Sequence, residues 1–145
     1  METFMIRRLT QFLSAVAVVL LAAGCSMTNP LASKDQVVFQ VSSDDAKTWN
    51  LALNNAKNVQ SAKGTAAEVE IVVYGPGIGM LKADAVVANR VSEAVKSGVK
   101  VVACQNTMRG QKLTPADMNA DIGYVPAGVI ELMAKQQAGW SYIRP

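Results

Sequence analysis

Apolar positions along the chain follow two alternating rhythms. Gln36-Val37-Val38-Phe39-Gln40-Val41 is an apolar run of strand length; Val69-Glu70-Ile71-Val72-Val73-Tyr74 and Val99-Lys100-Val101-Val102-Ala103-Cys104 repeat it with β-branched residues. Between the first two, Trp49, Ala52, Leu53, Ala56, Val59 and Lys63 recur at helical spacing. This predicts an amphipathic helix from Ala46 to about Lys63, started by Ser42-Ser43-Asp44-Asp45 and stopped by Gly64. A second helix is expected from about Lys82 to Ser97, with Val87, Val91, Ala94 and Val95 on one face and Gly98 as its stop. Thr114-Pro115-Ala116-Asp117 predicts a short helical turn, and Gly123-Tyr124-Val125-Pro126 returns to extended chain. Ala127 to Gln137 reads as the last helix, with Ile130, Met133 and Ala134 inward, and Trp140-Ser141-Tyr142-Ile143 as a closing strand.

Strands and helices thus alternate, with connections too long for hairpins. That pattern predicts an α/β fold: a mostly parallel sheet with helices on both faces. Ligands in such sheets bind beyond the carboxyl ends of the strands. Cys104 ends the third strand, and the polar segment Gln105-Asn106-Thr107-Met108-Arg109-Gly110 follows it as a loop or helix start.

Residues 1–24 have the build of an export signal: Arg7 and Arg8 form a positive region, and Phe12 to Ala23 is apolar except for Ser14. The segment ends Leu20-Leu21-Ala22-Ala23-Gly24-Cys25-Ser26, which resembles a bacterial lipobox, with Ala22 where that pattern favours leucine. The expectation is an exported lipoprotein of the bacterial cell envelope, facing the periplasm and membrane-anchored through an acylated Cys25. Residues 25–35 would be its tether and residues 36–145 its domain. Cleavage there removes Glu2, Arg7 and Arg8 and leaves Cys104 as the single free thiol, so no internal disulfide can form.

Composition narrows the chemistry. The 145 residues carry a net charge of +3, but the basic side chains are scattered, and no nucleic-acid footprint emerges. There is no histidine, which excludes imidazole bases, Cys-His and Ser-His pairs and His-containing zinc sites. No cofactor or metal motif is present. Gly75-Pro76-Gly77-Ile78-Gly79 follows a strand but has neither G-x-G-x-x-G nor a P-loop lysine, and reads as a tight turn.

Several stretches together resemble the DsrE/DsrF-like family of small sulfur-relay proteins. They are V-V-A-C-Q-N-T-M-R-G-Q-K-L-T, then Y-V-P-A-G-V-I-E-L, the ending G-W-S-Y-I-R-P, the S-D-D-A-K-T-W-N-L-A-L-N-N helix start and V-Y-G-P-G-I. The likeness spans about residues 36–145. It implies a three-layer α/β/α sandwich with a five-stranded parallel sheet in the order 2-1-3-4-5, assembled as a homo-oligomer, trimer or hexamer. That order places Ser43 and Asp44 beside Cys104. The resemblance further implies that Cys104 carries sulfane sulfur as a persulfide between a donor and an acceptor that the sequence does not identify. The family's relay subunits are cytoplasmic and their arginines sit slightly further from the cysteine than Arg109 does, so the physiological relay transfers less directly than the fold.

From the residues themselves, Cys104 is either a nucleophile whose thiolate Arg109 and nearby backbone N–H groups favour, or a buried strand-end thiol acting as a small hydrophobe. Asn106, Thr107 and Ser43 are candidate contacts for an anionic sulfur species; capping the next turn is the plainer role for Asn106 and Thr107. Arg109 is an anion partner or one half of a surface ion pair. Asp44 and Asp45 fit helix-start charges, and Trp49, Trp140 and Tyr142 fit core or subunit contacts. The alternative function is a non-catalytic oligomeric binding or scaffold protein.

Overall fold

A computed structural model describes residues 35–145; the expected signal segment, Cys25 and nearly all of the tether lie outside the described residues. Five strands, β1 (Gln36–Val41), β2 (Glu68–Val73), β3 (Lys100–Cys104), β4 (Gly123–Val125) and β5 (Ser141–Ile143), form one sheet in which every pairing is parallel. Four α-helices connect them: α1 (Ala46–Lys63), α2 (Ala88–Lys96), α3 (Gln105–Gly110) and α4 (Gly128–Gln137). Among the described residues no helix is long and apolar enough to cross a membrane.

The three-layer arrangement follows from alternation along each strand. Val37, Phe39, Val41, Ile71, Val73, Val101 and Ala103 face α1 and α2, where Trp49, Leu53, Ala56 and Val91 complete the larger core. Val38, Val72 and Val102 point the other way and meet Leu132 of α4 and Val125. The expected helix-start role of the acids is seen at Asp45, whose carboxylate accepts from the N–H groups of Lys47 at 3.2 Å and Thr48 at 3.0 Å. Trp49 is a core residue whose indole N–H donates to the Ser43 carbonyl at 2.8 Å.

The strand order is β4-β3-β2-β1-β5, which corrects the expected 2-1-3-4-5 in detail. The crossovers through α1 and α2 lie on one face, so right-handed connections carry the chain steadily from β1 to β2 to β3. The sheet reverses only after β4, when α4 crosses the opposite face over β2 and β1 and delivers β5 to the free edge of β1. Consequently β2 lies between β1 and β3, and Ser43 and Asp44 are not neighbours of Cys104.

Two further expectations change. The helix expected from Lys82 starts only at Ala88. Gly75–Leu81 is a 3-10 helix, and the next residues are tied to a distant loop: Lys82 bridges Met118, Ala83 N–H donates to the Asp117 carbonyl, and Leu81 accepts from Asn119 N–H. Gly77 lets this turn pass close to β1, because a Cβ there would lie 2.8 Å from the Val41 carbonyl oxygen.

The last helix is rotated from its expected setting. Ile130 and Met133 are 59 % and 49 % exposed and Ala134 is exposed too, whereas Gly128 and Leu132 face the sheet. The cause is Glu70, a fully buried carboxylate on the same sheet face as Val72. Lys135 of α4 reaches it at 2.6 Å, and Lys135 shares the helix stripe of Gly128 and Leu132. Meeting that charge turns the stripe inward and leaves Val129, Ile130 and Met133 outside.

Candidate functional site

The site forms where three parallel strands end side by side. Val73 of β2 pairs with Ala103, and Val125 of β4 pairs with Cys104. The residues following β2 and β4, Tyr74-Gly75 and Pro126-Ala127-Gly128, therefore flank the end of β3 on either side. Gly128 abuts Tyr74 so closely that a Cβ on it would meet the Tyr74 ring and Cβ at 3.0 Å. Only glycine permits α4 to begin this near the sheet.

Cys104 is 4 % exposed and occupies the N-cap of α3. A helix leaves its first N–H groups without intrahelical partners, and here the sulfur takes the capping role ordinarily filled by oxygen. Thr107 N–H donates to Sγ at 3.4 Å. Thr107 also anchors the neighbouring strand: its hydroxyl oxygen accepts from Gly75 N–H at 2.9 Å. With that lone pair engaged, the hydroxyl proton is free to turn to the sulfur.

Opposing effects act on the thiol. Burial is the largest, and it raises the pKa by disfavouring the anion. The Thr107 hydroxyl, then the backbone N–H groups of Gly128, Thr107 and Asn106, favour the anion, and together they bring the thiol below its ordinary range. A cysteine that merely filled apolar space would be shifted the other way. The arrangement can therefore hold a thiolate, or a persulfide anion in its place, without a histidine.

The expected site residues are distributed unevenly around this sulfur. Thr107 is brought to it by both hydroxyl and N–H. Asn106 contributes its N–H, which also donates to the Pro126 carbonyl at 3.2 Å, while its side-chain oxygen accepts from the Arg109 guanidinium. Arg109 lies exposed on α3 in that bond and is not among the groups that lower the thiol. Ser43 stands beyond the end of β1, with β2 intervening, and its hydroxyl oxygen is buried without a hydrogen-bond partner. Gly128 and Gly75 were missed by sequence reasoning. Their roles come from backbone N–H groups, and only the strand pairing brings them to Cys104. The sequence signals were the Gly75-Pro76-Gly77-Ile78-Gly79 turn for the one and the Pro126-Ala127-Gly128 start of the last helix for the other.

A groove of about 670 Å³ between α1 and α2, lined by Leu53, Lys57, Gln60, Arg90 and Glu93 among others, lies on the opposite face of the sheet from this sulfur. Among the described residues no group of three or more Cys, Asp, Glu or His side chains gathers to hold a metal ion.

Residues 35–145 match the sequence pattern of the DsrE/DsrF-like family. Among solved structures, the chain is similar to a protein of unknown function from Methanobacterium thermoautotrophicum. Identity is 32 %, the match covers 76 % of this chain and 98 % of that one, and the TM-score is 0.73. A conserved protein of unknown function from Bacteroides thetaiotaomicron shares the fold at 19 % identity, with 81 % and 100 % of the two chains covered and a TM-score of 0.67. No curated protein matches the sequence.

A lowered thiol pKa has a definite consequence for stability. Between the folded value and the unfolded value of ~8.5 the unfolded chain binds more protons, so stability rises with pH. The contribution is complete above ~8.5 and is lost as pH falls through the folded value. In urea unfolding across this window, the wild type is expected to gain stability over Cys104→Ser as pH rises. Thr107→Val, which removes the hydroxyl donor, is expected to flatten that gain. A wild-type advantage that does not change with pH would contradict the assignment.

Proposed function

This chain belongs to the DsrE/DsrF-like family, and on that premise we propose that it is a sulfur carrier holding sulfane sulfur as a persulfide on Cys104. The observation that carries the reading is the convergence of Thr107, Asn106 and Gly128 donors on a sulfur that caps α3. The Cys104 thiolate attacks the outer sulfur of a donor persulfide R–S–SH. A new S–S bond forms, the donor's S–S bond breaks, and R–S⁻ leaves with the bonding electron pair. Cys104 is left as Cys–S–SH, which loses its proton readily. An acceptor thiolate then repeats the attack on the outer sulfur and releases the Cys104 thiolate. Each exchange is redox-neutral and needs no cofactor. The same donors that favour the thiolate serve as the leaving-group support in the second step. The slight exposure of Cys104 favours small donors.

In this reading Thr107 and the Asn106 N–H bind the anionic sulfur, Arg109 supplies positive charge at the surface of α3, and Ser43 stays outside the immediate site. Export, lipid attachment at Cys25, and assembly as a homo-oligomer of three or six copies belong to the same proposal. The export pattern of residues 1–25 supports the first two, and the exposed Val129, Ile130 and Met133 on α4 support the third. That apolar face equally suits a non-catalytic oligomeric scaffold, which would need no thiolate.

Incubation with a polysulfide or a persulfide donor is expected to add the mass of one sulfur atom to the wild type, removable by a small thiol. Cys104→Ser is expected to gain none; equal uptake by the two proteins would defeat the proposal. Native mass spectrometry of protein extracted from membranes checks the remainder. The expected result is three or six copies of a chain beginning at acylated Cys25. A monomer retaining residues 1–24 would contradict both.

A further inference from the structure

A feature far from Cys104 bears on its chemistry. Glu70 is fully buried, and neither of its carboxylate oxygens has a hydrogen bond of good geometry, so its compensation is ionic. Lys135 lies 2.6 Å away with a mostly covered side chain, and Lys100, far more exposed, lies at 3.3 Å. Glu131 is 3.7 Å from Lys135 and 3.6 Å from Lys100, and the Lys135 ammonium sits 4.0 Å from the centre of the Trp140 ring. Lys135 is thereby held by a carboxylate below, a second carboxylate beside and an aromatic face.

Glu70 pairs in register with Lys100 at the start of β3, whereas Cys104 is at its end. Helix α4 spans the interval: its first residue, Gly128, comes three residues after the Val125 that pairs with Cys104 and its N–H acts on the thiol, while Lys135, near its last turn, is at Glu70. Apart from the tethers to β4 and β5 at its two ends, α4 rests on the sheet through Leu132 and Gly128 with Tyr74 and Trp140 beside them, and such apolar contacts tolerate small lengthwise shifts. A buried carboxylate whose nearest and best-covered ammonium is on α4 resists sliding, because a shift leaves it only the more distant and more exposed Lys100.

We propose that the Glu70–Lys135 ion pair is a positioning pair for Cys104: it fixes α4 lengthwise on the sheet and so holds the Gly128 N–H at the sulfur. Its value to function rests on the reading of Cys104 as a working thiolate, but the mechanical claim stands apart from that reading.

The two acts are separable by experiment on the full chain. Glu70→Gln and Lys135→Met are each expected to raise the apparent thiol pKa of Cys104, slowing iodoacetamide alkylation at pH 7 by about three- to tenfold. Lys135→Arg should restore nearly the wild-type rate, and Lys100→Met should leave it almost unchanged. The shared direction is diagnostic. A long-range field alone would make loss of the Glu70 charge lower the thiol pKa and loss of the Lys135 charge raise it, and opposite shifts would overturn the proposal. Amide hydrogen exchange at Gly128 gives a readout independent of sulfur chemistry. It is expected to accelerate in both variants, and unchanged exchange would equally overturn the proposal. If the single variants do not fold, Glu70→Leu with Lys135→Leu keeps the face apolar while removing the lock, and the same acceleration is expected. A wild-type thiol of ordinary pKa would defeat the thiolate reading alone, leaving the exchange measurement to decide the pair.

Discussion

The Cys104 site depends on one constraint: β2, β3 and β4 run parallel and end together. A parallel sheet places the carboxyl ends of its strands on one edge, so loops distant in sequence meet there. Gly75 arrives from β2, Gly128 from beyond β4, and α3 begins at the end of β3 itself. None of these segments could gather N–H groups around a sulfur alone. The sheet supplies the meeting place, and the glycine at 128 allows the closest approach.

At that edge two physical effects oppose each other over one atom. Burial raises the free energy of the thiolate, and four donor groups lower it. The donors prevail because they are part of structure that exists for other reasons. The Asn106 and Thr107 N–H groups belong to a helix start and so have no intrahelical partners, and the Thr107 hydroxyl is held in place by Gly75. Preorganised donors cost little at the moment of reaction, which is what the proposed alternation between thiolate and persulfide would require. The absence of histidine fits this arrangement, because no separate base is needed to ionise the thiol.

Much of the fold was legible because strand and helix periods differ so clearly along residues 36–143. The position of Cys104 at a strand end was legible for the same reason. What the sequence concealed was set by pairing between distant segments. The strand order depended on α1 and α2 crossing the same face, and the orientation of α4 depended on Glu70, an acid within an otherwise apolar strand run. Reading α4 by its own apolar residues turned Ile130 and Met133 inward, whereas the buried carboxylate turns Lys135 inward and them outward. Arg109 was the conspicuous candidate for stabilising the thiolate because it carries a charge. The groups that most lower the thiol are the Thr107 hydroxyl and backbone N–H groups, and the backbone groups have no signature in a sequence.

Cys104 is buried, yet its surroundings lower the pKa of its thiol, and everything proposed for the site rests on that. The rate of alkylation of Cys104 in the folded wild-type protein, measured across pH, tests it most directly. The expected result is an apparent pKa below the ordinary thiol value of ~8.5, returning to that value on unfolding. An apparent pKa at or above that value in the folded protein would contradict it and leave Cys104 a buried structural thiol.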